Sequence, residues 1–154
     1  MKLYYKVRCA HSAKYLRIMS SYVIGSIQKG IESCLPNING PTIYINCTTP
    51  NQLIGLIESK PQFHHLLPVI DYTRANDLQE VLDAITSKHS DSHTVVIEDL
   101  AGIVANTHAE YEQVNSSLVA IFRMGKIHHL GIMVLDKVAN KFVDKLVDSS
   151  TTVD

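Results

Sequence analysis

The chain has 154 residues, 45% of them hydrophobic and 19% charged, and carries a formal net charge of −1 at pH 7. That length suits one domain able to bury about 70% of its unfolded surface, and the composition excludes an intrinsically disordered chain. No run nears the roughly 18 apolar residues of a membrane span, and "MKLYYKVRCAHSAKYLRIMSS" lacks the continuous apolar stretch of a secretory signal.

In chain order, the alternation of Leu3, Tyr5 and Val7 in "KLYYKV" predicts a half-buried or edge strand. "SSYVIGSIQKGIESCLP" places Val23, Ile27, Ile31 and Cys34/Leu35 at helical spacing, with Pro36 as the stop. "NINGP" is a turn and "TIYINC" a β-branched strand. Thr49 as N-cap with Pro50 at the first helical position predicts a short helix over "TTPNQLIGLIES". "HLLPVIDY" is a strand, with Pro68 marking an edge or a start.

"NDLQEVLDAITSKH" is the clearest helix: Asn76 or Asp77 caps it, and Leu78, Val81, Leu82 and Ile85 share a face. "TVVIED" does not alternate, which suits a strand covered on both sides. A long helix over about Ala109–Lys126 follows, with Tyr111, Val114, Leu118, Ile121 and Phe122 on one stripe. "LGIMVLD" is another buried strand. Val138, Phe142 and Leu146, four apart, suggest a last helix, and "DSSTTVD" is a polar, frayed tail. Strand–helix alternation with non-alternating strands predicts an α/β fold of three layers: a mostly parallel central sheet with helices on both faces. The domain spans 1–148, with 149–154 as the tail.

Cys9, Cys34 and Cys47 are odd in number and outside any C-x-x-C spacing, which predicts free, buried thiols in a reducing compartment. Six bases (Lys2, Lys6, Arg8, Lys14, Arg17 and Lys29) precede any acid, so the N-terminal part offers a local anion-facing patch. Tyr4, Tyr5 and Tyr15 interleave with these cations and suit either base stacking or core packing.

Ligands of such sheets gather at the C-terminal ends of strands. Asn46-Cys47, Asp71, Glu98-Asp99 and Asp136-Lys137 are expected there. Three acidic strand ends and a lysine suit a divalent cation with a phosphate. A receiver domain uses such a set but needs an acid pair ending its first strand, and no strand before residue 71 ends in an acid. The phosphate-cradling G-x-x-x-x-G-K-[ST] is absent, so the acids have no nucleotide to serve. The adjacent pairs His64-His65 and His128-His129 point apart and do not suit one metal. His89 and His93 share a helix face only if the helix runs through "SDS", its expected end. No G-x-S-x-G nucleophile elbow occurs.

Taken in order, the segments resemble a shortened core of the RecA-type recombinases, especially their eukaryotic paralogues, over about residues 20 to 145. "PTIYINC" matches the strand after the phosphate-loop helix, "LLPVIDYTRANDLQEVLDAI" the next strand and helix, and "TVVIED" the magnesium strand. "HHLGIMVLDKVANKFVD" matches the strand that enters a loop touching single-stranded DNA. At the phosphate-loop position stands "SSYVIGSIQ", without lysine. Glu98 replaces the magnesium aspartate, Asp99 replaces a small polar residue, and the family's further strands do not follow.

The resemblance implies a truncated RecA-like core without nucleotide chemistry or cofactor, with Glu98 and Asp99 as relic acids and a small open sheet that needs a partner. Such degenerate members, similar to Shu complex subunits, pair with another RecA-like paralogue, contact DNA and help load the recombinase in the nucleus. The expected phosphate contacts are Lys14 and Arg17 near the N-terminus, and Lys137, Lys141 and Lys145, which one helix face would align. Two other classes compete: an Elongator-like accessory subunit of RecA fold acting in tRNA modification, and a small magnesium-dependent enzyme using Asp71, Glu98 and Asp99.

Overall fold

The structure, a computed structural model, describes residues 20–154. The expected strand over "KLYYKV", Cys9, the interleaved tyrosines and the candidate contacts Lys14 and Arg17 lie outside the described residues.

The first described element is a strand where helical spacing predicts a helix. Ser20–Gly25 forms β1, and helix α1 covers only Ile27–Cys34. Tyr22, Val23 and Ile24 favour a pleated strand, and Gly25, at φ +140°, turns the chain where an L side chain rarely fits. Ser26 then caps α1 by accepting the Lys29 N–H at 3.4 Å. The misleading spacing has a simple origin: Val23 on the strand and Ile27 and Ile31 on the helix face the same core layer.

Strand β2 is Thr42–Asn46, buried throughout. Helix α2 starts at Leu53 rather than at Pro50 after a Thr49 cap, because Asn51 Oδ1 takes the Leu53 N–H at 3.1 Å and Thr49 turns inward. Its last residue is Glu58. A 3₁₀ segment, Pro61–Val69, contains Pro68 and delays strand β3 to Ile70–Arg74. Helix α3 is Leu78–Lys88, with Asp77 accepting the Glu80 N–H at 2.8 Å. Strand β4 is Thr94–Glu98, and helix α4, Leu100–Ala105, buries Ile103 and Val104. Helix α5 is Tyr111–Ile127 and strand β5 Gly131–Asp136.

Two expectations fail at the C-terminal side. The last helix, α6, is one turn, Lys141–Asp144, and buries Val143 while Val138 is 71% exposed. Residues 149–154 are no frayed tail: Ser149–Val153 is strand β6, paired parallel with β1.

The sheet order is β3-β2-β4-β5-β1-β6 and all its pairings are parallel, so the chain is an α/β protein of three layers. Helices α1 and α2 pack on one face, with Val23, Tyr44, Val96, Met133 and Leu135. Helices α3, α4, α5 and α6 cover the other, with Tyr22, Ile43, Ile97 and Val134. Neighbours β2 and β4, and likewise β5 and β1, therefore send their following helices to opposite faces. Neighbours β2 and β3 do so as well, and such a sheet opens crevices beyond its strand ends at these places.

Candidate functional site

The β2/β4 and β5/β1 crevices are each filled by a carboxylate paired with a buried hydroxyl. At the β2/β4 crevice Glu98 is fully buried and shares the face of Val96, two residues back along its strand. Tyr44 Oη donates to Glu98 Oε1 at 2.5 Å, and the Thr49 hydroxyl donates to Oε2. Asn46 Nδ2 donates to the Thr49 carbonyl and to Tyr72 Oη, each at 2.9 Å. Tyr72 stacks on Tyr44 with ring centroids 5.9 Å apart, and Arg74 Nη1 reaches the Thr49 carbonyl at 3.0 Å. Burial holds the Tyr44 phenol far above its ordinary titration range, with the Glu98 charge adding to it, so Tyr44 is a fixed donor.

At the β5/β1 crevice Asp136 lies on the opposite face, with Ile132 and Val134. The Tyr22 hydroxyl donates to Asp136 Oδ2 and the Ala101 N–H to Oδ1 at 3.1 Å. Burial pushes the Asp136 carboxyl up to about 6, the two donors pull it back, and the Asp99 charge adds to the rise.

The expected acid set does not converge. Glu98 and Asp136 are separated by the sheet. Asp71 sits at the start of β3, at the opposite end, where it pairs with Lys88 at 3.0 Å. Asp99 adopts a left-handed backbone (φ 67°, ψ 46°) and gives its N–H to the Leu135 carbonyl at 2.7 Å. Burial raises its carboxyl, countered by the Gly102 N–H and Lys137. A Cβ at Gly102 would overlap that carboxylate and lie 2.7 Å from Thr48 Oγ1. Cys47 is buried beside these acids, and burial drives its thiol well above the ordinary range, so it stays an unreactive thiol. Among the described residues, no cluster of three or more His, Cys, Asp or Glu is placed to hold a metal ion.

At the phosphate-loop position β1 ends at Gly25 and α1 begins at Ile27, joined by Ser26 alone. A one-residue joint has no run of backbone N–H groups to fold around a phosphate.

The expected lysines divide. Helix α6 is too short to align three of them: Lys137 stands before it, facing Asp99. Lys141 and Lys145 instead converge on Phe142, with Nζ atoms 5.5 and 5.7 Å from its ring centroid. Tyr111 meets the same ring edge-on at 4.6 Å and is 58% exposed, off the core stripe where its spacing places it. The result is a surface patch of two cations and two aromatic rings beside the end of β5. The lysines stand out in the sequence by their spacing, whereas both rings fit apolar stripes there, although Phe142 stands directly after Lys141. No protein-family model matches the chain, and no curated protein matches it.

Proposed function

We propose that the chain is a non-catalytic RecA-like subunit that pairs with another RecA-like paralogue in the nucleus and helps load a recombinase on DNA in homologous-recombination repair. The observation that carries the non-catalytic part is the single-residue joint at Ser26, where a nucleotide-hydrolysing relative needs its phosphate loop. The engaged oxygens of Glu98 and Asp136 support the same reading, since a cation at the strand ends requires carboxylate lone pairs turned toward it. The fold supports the RecA-like part: an all-parallel sheet carrying the elements in the order the resemblance demands.

DNA contact is assigned to Lys141 and Lys145 with Phe142 and Tyr111. Cations track the phosphates and the exposed Tyr111 ring stacks a base, with half-buried Phe142 seating the lysines, a combination suited to single strands and indifferent to sequence. The test is purification of the tagged chain from its native cells with identification of what accompanies it, together with binding of labelled single-stranded DNA. A RecA-like paralogue in a dimer and salt-sensitive DNA binding are expected. A ring-shaped hexamer that prefers tRNA would replace this reading with the tRNA-modification one.

A further inference from the structure

The aromatic–lysine patch is held from beneath by one hydrogen-bond chain that starts at a buried pair. The Tyr22 hydroxyl donates to Asp136, and the same oxygen accepts the Asn140 N–H at 3.0 Å. Asn140 in turn caps α6 through its side chain, with Oδ1 accepting the Phe142 N–H at 2.9 Å and the Val143 N–H at 3.3 Å. One residue therefore ties the loop to the sheet with its backbone and sets the first turn of α6 with its side chain.

A four-residue helix is far below the length at which a helix holds itself. Its position depends on these tethers and on buried Val143. Tyr22 is fully buried on β1, between β5 and β6, where a phenylalanine would supply the same packing. Only the hydroxyl joins Asp136 to Asn140.

We propose that Tyr22 is a positioning residue for the patch, acting through Asn140 to fix where Lys141, Phe142 and Lys145 stand. This rests on the reading of the patch as a DNA contact. Because the tether is a backbone bond, removing the hydroxyl loosens residues 140–143 whether or not DNA is present.

The experiment uses the full chain, a fluorescein-labelled oligothymidylate and amide hydrogen exchange followed by NMR. Tyr22→Phe should bind the oligonucleotide about fivefold more weakly, the size of one missing hydrogen bond. It should also shift the Asn140 amide resonance and speed exchange at residues 140–143, while the amides of Val96 and Ile97 in β4 stay protected. Should Tyr22→Phe fail to fold, the comparison moves to the Asp136→Asn background. There no buried charge is left short of a donor, and Asp136→Asn with the phenol intact is the reference. Wild-type affinity in Tyr22→Phe beside a loss in Lys141→Ala/Lys145→Ala would overturn the positioning role and leave the patch standing. Unaltered exchange at Asn140 would overturn the tether itself. Binding that Lys141→Ala/Lys145→Ala leaves unchanged would overturn the patch, and the positioning of a DNA contact with it.

Discussion

Glu98 and Asp136 end adjacent strands, yet their carboxylates lie on opposite faces of the sheet. Each is closed by a tyrosine hydroxyl from the neighbouring strand, Tyr44 for one and Tyr22 for the other. A pair of acids that looks like a metal centre in sequence is thereby two separate structural bonds, one in each crevice.

Tyr44→Phe leaves the fully buried Glu98 with a single hydroxyl donor. The expected loss of stability is about 1.5–3 kcal/mol, as for a hydrogen bond to a buried charge. Glu98→Gln in the same background should recover part of it. Urea unfolding of the two variants and the wild type measures both effects. Millimolar magnesium should leave the wild-type melting temperature unchanged, whereas a rise would revive the magnesium-dependent enzyme.

Asp136 gives stability a definite pH dependence. Its carboxyl is raised from 3.8 to about 6, chiefly by burial, so the fold favours the protonated form. The stability this contributes is complete below about pH 4 and is lost as pH rises through 6, amounting to at most about 3 kcal/mol. Wild type should therefore melt progressively lower relative to Asp136→Asn between pH 4 and pH 7.5. Parallel melting curves across that range would contradict the assignment.

Gly25 stands at φ +140°, and a Cβ there would run into the Val153 carbonyl of β6. Gly25→Ala should cost more than about 2 kcal/mol, through both backbone strain and displacement of the edge strand. Denaturant unfolding gives the cost, and hydrogen exchange at Thr151 and Val153 shows whether β6 detaches.

Lys141→Ala/Lys145→Ala should lower affinity for single-stranded DNA and reduce the slope of log K against log salt by about 1.4, roughly 0.7 for each phosphate deprived of its lysine. Tyr111→Ala should weaken binding by about 1–3 kcal/mol at every salt concentration, as removal of a stacking surface does. A titration series in salt separates the two.

Strands β2, β4 and β5 were legible because uninterrupted apolar runs leave few alternatives for segments this short. Strand β1 was not, since a strand, a one-residue turn and a helix facing the same layer reproduce helical spacing. Strand β6 carries Ser-Ser-Thr-Thr and is held by backbone bonds to β1, which leave no apolar trace. The acids at the ends of β4 and β5 were found in sequence, but their opposite faces depend on the pairing register, which no single segment reveals. Tyr111 fitted the α5 stripe in spacing and misses the core because it is the helix's first residue, beyond the layer beneath.

The place of β1 between β5 and β6 has a consequence for synthesis. The first described strand can pair with nothing in the sheet until Gly131 and the residues after it have left the ribosome. Meanwhile β2, β3 and β4 can form a nucleus of their own. Contacts that span more than a hundred residues close a parallel sheet slowly, and during that interval Tyr22, Val23 and Ile24 stay exposed to solvent or to a chaperone.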